Sequence, residues 1–242
     1  MKTVQVRKNA FLFLGALSFL TLLLSGCLKE AASSKSPVKT FVSLLHLAPR
    51  APSVEVYFDN TKASSAITPG SVSPTYSALD PDIFAITFKK AGSDSVVAGL
   101  STASYDSLKH YTLVLYNPDT MHVSALRMVD DFSPLVDVSK THYRFFHLAP
   151  EIGPVDVYLN TTKIEAGREY ADIASTTYYN QFFQVSPNTY DITVKKAGTD
   201  SVIAQTYSVT MGGGYAYTLY LKGLGGKTGA TALGVDYLMA SD

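Results

Sequence analysis

His46-Leu47-Ala48-Pro49, then Val54-Glu55-Val56-Tyr57-Phe58 and Lys62, is the stretch that decides the fold, because it occurs twice. It returns as His147-Leu148-Ala149-Pro150, Val155-Asp156-Val157-Tyr158-Leu159 and Lys163, at a constant offset of 101 residues. One unit has been duplicated. Inside each copy the side chains alternate: Val54, Val56 and Phe58 against Glu55, Tyr57 and Asp59, and Val155, Val157 and Leu159 against Asp156, Tyr158 and Asn160. A period of two with one apolar side predicts a strand with one face on a core and the other in water.

The duplication continues downstream. Phe84-Ala85-Ile86-Thr87-Phe88-Lys89-Lys90-Ala91-Gly92-Ser93-Asp94 corresponds to Tyr190-Asp191-Ile192-Thr193-Val194-Lys195-Lys196-Ala197-Gly198-Thr199-Asp200, now at an offset of 106. Copy two has therefore gained five residues in between. Alternation on both sides of Ala91-Gly92-Ser93-Asp94, which is turn chemistry, predicts a hairpin in each copy. Tyr111-Thr112-Leu113-Val114-Leu115 pairs with Tyr217-Thr218-Leu219-Tyr220-Leu221.

No helical period persists between residues 41 and 238, and Val, Thr, Tyr, Ile and Phe dominate the apolar runs. About seven short strands per copy, with turn signals at roughly ten-residue spacing, predict an all-β chain. Its expected architecture is two tandem immunoglobulin-like antiparallel β-sandwiches. Tyr111 and Tyr217 stand where a tyrosine corner would sit. The expected organisation is a signal peptide at 1–26, a lipidated Cys and tether at 27–40, and domain 1 at 41–131. A linker at 132–142 and domain 2 at 143–242 follow. So short a linker predicts little independent movement and a small interface between the domains.

The N-terminus reads as targeting sequence. Lys2, Arg7 and Lys8 precede an apolar run from Ala10 to Leu24, then Ser25-Gly26-Cys27. That run is shorter than the ~20 residues of a membrane span and suits a signal peptide. Leu24-Ser25-Gly26-Cys27 resembles the bacterial lipobox, which implies cleavage before Cys27 and acylation of its sulfur, with palmitate among the usual lipids. Cys27 is the only cysteine of the 242 residues, so no disulfide forms within the chain. The next residues, Leu28 to Pro37, are small and polar and read as a flexible tether. Cys27-Leu28-Lys29-Glu30 resembles the surface-export signal of Bacteroidetes lipoproteins, which implies an outer-membrane anchor facing the cell surface; the alternative is a periplasm-facing anchor.

The chain has 20 basic and 20 acidic residues, and three of the basic ones lie in the first 26. Without a basic stripe, nucleic acid is excluded as a partner. The pattern H-x-[AS]-P followed by V-[DE]-V-Y is similar to the bacterial domain-of-unknown-function 4397 family. His46, Pro49 and Tyr57, with His147, Pro150 and Tyr158, carry that resemblance over nearly the whole mature chain. It implies an extracytoplasmic, often lipid-anchored protein with no established catalytic activity.

No residue is assigned a catalytic or metal-binding role, and no cofactor is expected beyond the lipid on Cys27. Gly225-Gly226-Lys227-Thr228 resembles a phosphate-binding loop, but Leu221 stands where that pattern needs its first Gly. His46 and His147 lack further ligands recurring in both copies and read as half-buried imidazoles pinning the loops after Pro49 and Pro150. Asp80 with Asp82, and Asp130 with Asp131, read as solvated loop acids. Tyr178, Tyr179, Phe182 and Phe183, beside the five-residue insertion, are the candidate ligand-binding surface, either exposed for a partner or packed on domain 1. The expectation is a non-enzymatic binding or adhesion protein that meets the membrane through its lipid and a protein or glycan at the surface. The alternatives are a structural spacer or accessory subunit of an outer-membrane complex and, third, a glycan-directed hydrolase using loop acids.

Overall fold

Each alternating stretch is a strand in the computed structural model, which describes residues 38–240. The signal segment, Cys27 and the tether as far as Pro37 lie outside the described residues. Copy one consists of β1 (Thr40–His46), β2 (Val54–Phe58), β3 (Thr61–Lys62), β4 (Ser77–Leu79), β5 (Asp82–Lys90), β6 (Val96–Tyr105), β7 (His110–Tyr116) and β8 (Ser124–Asp130). Copy two repeats the series as β9 (Thr141–Leu148), β10 (Val155–Leu159), β11 (Thr162–Arg168), β12 (Phe183–Val185), β13 (Asn188–Lys196), β14 (Val202–Met211), β15 (Ala216–Lys222) and β16 (Gly234–Met239). The chain is all-β, two β-sandwiches of eight strands each, one more than expected because β3 and β4 are too short to leave a pattern.

The sheets of copy one run β4-β1-β7-β8 and β3-β2-β5-β6, and those of copy two run β12-β9-β15-β16 and β11-β10-β13-β14. Adding eight to each label of one copy gives the other. The pairings are antiparallel except for β1 with β7 and β9 with β15, which are parallel. That parallel pair and the strand order distinguish these sandwiches from the constant-type immunoglobulin arrangement, while the two-sheet architecture is the one the periodicity predicts.

The expected hairpins form: β5 pairs with β6 and β13 with β14. Gly92 and Gly198 take φ of 71° and 69° in their turns, where a side chain would be strained. Both hairpins carry the same bulge, between Phe84 and Ile86 and between Tyr190 and Ile192. The bulged residue is held by the turn after β2 or β10. Asp59 N–H donates to Ala85 O (2.8 Å) and its Oδ1 accepts from Ala85 N–H (3.0 Å); Asn160 and Asp191 do the same at 2.8 and 2.9 Å. Asp and Asn tolerate the left-handed φ that this turn needs, 50° and 53° here.

Between the two sheets of copy one lies a core of Val54, Val56, Phe84, Ile86, Phe88, Leu113 and Leu115, with Phe58 half-buried at its margin. Val155, Val157, Leu159, Ile192, Leu219 and Leu221 fill its counterpart. Tyr111 and Tyr217 act as corners: their hydroxyls accept from Asp106 N–H (2.9 Å) and Gly212 N–H (3.0 Å), each five residues upstream.

The interface between the copies is not small. The outward faces of β1, β7 and β8 pack on those of β9 and β15 through a third apolar cluster. Leu45, Leu47, Val114, Tyr116 and Met128 meet Phe146, Leu148 and Tyr220 there. The layers therefore stack β3-β2-β5-β6, β4-β1-β7-β8, β12-β9-β15-β16, β11-β10-β13-β14. The signal in the sequence is that Leu44-Leu45 and Phe145-Phe146 put an apolar side chain on each face at once, and both strands are buried on both sides. Where the copies meet, Gly70 approaches so closely that a Cβ there would lie 2.2 Å from the Ala230 carbonyl oxygen. Arg50 pairs with Glu151, the equivalent position of the other copy, as in a two-fold isologous contact.

Candidate functional site

The repeated histidines lie at the end of the first strand of each copy, His46 as the final residue of β1 and His147 as the last but one of β9, and are fully buried, not half-buried. Nε2 of His46 lies 3.2 Å from Pro52 O, and Nε2 of His147 lies 3.1 Å from Gly153 O. A carbonyl only accepts, so Nε2 carries the proton in both rings, and Nδ1 is buried with no partner among the described residues. Burial holds both imidazoles below their ordinary pKa, against the opposing pull of those backbone bonds. The turns that the rings hold are Ala48 to Ala51 and Ala149 to Ile152, each closed by a backbone bond across the Pro. Among the described residues no three His, Cys, Asp or Glu side chains converge to hold a metal ion.

The outer face of the repeated strand holds a second recurring arrangement. Glu55 accepts from Lys62 (2.8 Å) and from Tyr57 Oη (3.3 Å), and Lys89 lies 4.5 Å from the Tyr57 ring. Asp156 accepts from Lys163 (2.6 Å), Gly167 N–H and Gly198 N–H, and Lys195 lies 4.8 Å from the Tyr158 ring. The lysine beside each acid holds its carboxyl below the ordinary pKa. Neither acid faces water: Glu55 and Asp156 are buried beneath their lysines. The V-[DE]-V-Y motif thus ties a hairpin to its neighbouring strand.

Between the copies lies a buried ionic network that the sequence reading missed. Arg144 of β9 pairs with Asp130 of β8, whose carboxylate also accepts from Thr112 Oγ1 (2.5 Å) and Tyr76 Oη (2.6 Å). Arg144 Nε donates to Thr218 Oγ1 (2.9 Å) and its Nη2 to Thr112 Oγ1 (3.0 Å). Thr112 and Thr218 are equivalent positions, so one guanidinium spans both copies. Its own counterpart is Ser43, which leaves room for a single Arg. Asp130 is accordingly no solvated loop acid; its side chain is completely buried. Arg144 lies in a strand buried on both faces, at a position where the two copies differ.

The aromatic stretch closes over this network. β1 pairs with β4 and β9 with β12 at matching places, and Gly70 N–H and Ala171 N–H donate to His46 O and His147 O alike. The five inserted residues therefore fall between Ala171 and Phe183 and form the turns Asp172–Ala174 and Thr177–Asn180. Phe182 lies over the Arg144 guanidinium at 4.5 Å, opposite Phe146 at 4.9 Å. Tyr179 lies 3.8 Å from the guanidinium of Arg168, itself held bidentately by Asp172 at 2.6 and 2.9 Å and by Glu165 at 3.0 Å. Phe183 packs against the core of copy two, and Tyr178 alone of the four is more exposed than buried. The stretch is chiefly packing between the copies.

Beside Phe182 the seam opens into a cleft of about 520 Å³, bounded by Arg127, Met128 and Asp131 of copy one and Thr177, Asn180 and Gln181 of copy two. Asn180 Oδ1 is buried and bonds no group among the described residues. Two amides, a cation, a carboxylate and a ring edge suit a polar, ring-bearing ligand. Asp80 pairs with Lys39 at 2.6 Å and Asp82 caps its own strand at Ile83 N–H (2.7 Å). Gly225 to Thr228 lead into a single 3-10 turn at Gly229–Thr231, not a helix.

No curated protein matches the chain. The family described as domain of unknown function DUF4397 matches it twice, at residues 40–158 and 141–238, each match starting at the first strand of a sandwich. The protein is a two-sandwich member of the DUF4397 family.

Proposed function

We propose that this protein is a lipid-anchored, non-catalytic module of the bacterial cell envelope, acylated on Cys27 and facing the cell surface from the outer membrane. The observation that carries the reading is the single Cys, at the end of Leu24-Ser25-Gly26-Cys27 behind a basic head and an apolar run. Its role is binding or adhesion, and the cleft beside Phe182 is where a glycan or a polar protein loop fits. In support, the buried charges at the seam are held in mutual contacts, Arg144 with Asp130 and Arg168 with Asp172 and Glu165. Replacing Cys27 with Ser tests the anchor: acyl labelling and membrane association are lost together. A variant that keeps its lipid label would refute acylation at this residue.

A second reading, a spacer or accessory subunit without a ligand, is favoured by one observation: Tyr179, Phe182 and Phe183 are occupied within the molecule. Glycan-array binding of the protein and of Asn180→Ala separates the two. Signal lost in the variant supports binding at the cleft, and no signal from either favours the spacer.

A further inference from the structure

We propose that the end of the double sandwich at which the chain enters, at Val38, docks on the lipid bilayer through Leu108 and the linker valines Val136 and Val138. The proposal rests on the anchoring reading for a membrane being near. Its starting point is the turn between β6 and β7. Leu108 sits there with φ 61°, in the left-handed region, and is 71% exposed. The equivalent residue of copy two is Gly214, φ 78°, the residue that region favours. Copy one therefore strains its backbone where it projects a large apolar side chain into solvent.

The neighbours of Leu108 are of the same kind. Its N–H donates to Lys39 O (2.7 Å), which places it beside Val38 at the start of the described chain. With Leu135 and Gly214 it lines a single cleft. Gly214 N–H donates to Lys140 O (2.7 Å), and a Cβ on Gly213 would lie 2.0 Å from Val138 O. The linker thus lies across this end, with Val136 and Val138 at 87% and 75% exposure. Such a patch marks a contact surface.

The occupant follows from where the chain goes. Cys27 lies eleven residues before Val38. A stretch of that length reaches at most about 40 Å. A bilayer holding the acyl chain of Cys27 is therefore close to this end. Charge plays little part, since Lys39 is paired with Asp80 and Asp131 and Asp137 offset Lys109 and Lys140. The contact is apolar insertion at the headgroup boundary, insensitive to salt and to lipid charge.

The chain contains no Trp, so Leu108→Trp and, separately, Val136→Trp each install a lone emitter. Met121→Trp, at the exposed tip beyond the opposite end of β7, is the control. Each variant is reconstituted in phosphatidylcholine vesicles, some carrying brominated acyl chains, through its acylated Cys27. Should acyl labelling show no lipid, the same chain is coupled through the Cys27 thiol to a maleimide phospholipid. Acyl labelling thus judges the anchor, and fluorescence judges the docking. Emission at 108 and 136 should shift to the blue and be quenched by the brominated lipid at low and high salt, with emission at 121 unchanged. Absence of quenching at 108 and 136 overturns the proposal. So does a blue shift without quenching, because it means a protein or a second copy covers the patch. Leu108→Gly, which copies Gly214, should keep the fold and reduce quenching of Val136→Trp; undiminished quenching would show that Leu108 does not insert.

Discussion

At the scale of single residues, buried polar groups set this protein's behaviour. His46 and His147 keep their neutral form to lower pH in the folded chain than in the unfolded one, since burial holds their pKa below the ordinary value. The unfolded chain protonates the same rings as pH falls through about 6.5, so it binds more protons than the fold. Stability contributed by the neutral rings is full above that pH and is lost below it, at up to about 1.4 kcal/mol per pH unit for each ring. Urea unfolding at pH 7.5 and 5.5 should show a smaller acid loss in the double variant His46→Gln, His147→Gln than in the parent. Equal losses would mean that the rings are not buried neutral. Arg144 is the other sensitive point. Arg144→Ala leaves Asp130 buried with only two hydroxyl donors and should cost about 3–5 kcal/mol in denaturant unfolding. Replacing both partners, with Arg144→Met and Asp130→Leu, should cost clearly less than the sum of the single changes. The role of His46 was legible in the sequence because it recurs with its loop. That of Arg144 was not, because a pattern of faces does not tell which distant charge will meet it.

At the scale of elements, alternation predicted β2, β5 and β7 and their partners, and the turn residues predicted both hairpins. Ile86 and Ile192 sit at equivalent central places, each fully buried. Truncating either to Ala should cost about 2–5 kcal/mol from lost burial and a residual cavity, read as a shift in the urea midpoint. A loss under 1 kcal/mol for both would refute the core assignment. Three things escaped the periodicity for physical reasons. β3 is two residues long and leaves no period. The parallel partnership of β1 with β7 joins strands more than sixty residues apart, and no local signal encodes it. The alternating polar face of β2 reads as solvated, yet Glu55 lies under Lys62, whose aliphatic stem covers it while its charge remains outside.

At the scale of the whole molecule, the duplication made two sandwiches legible, and the adjacent pairs Leu44-Leu45 and Phe145-Phe146 place apolar groups on the outer faces of β1 and β9, where the copies are fused. The short linker predicts a modest contact, but its length does not report what the outer faces of β1 and β9 pack against. A shared apolar cluster, a buried Arg144–Asp130 pair and the Arg50–Glu151 contact between equivalent positions bind the copies into one block. The central claim is that this block folds and melts as one. Scanning calorimetry of the protein tests it most directly. A single transition, with calorimetric and van't Hoff enthalpies equal, is the expected result; two separable transitions in the parent protein would contradict the account.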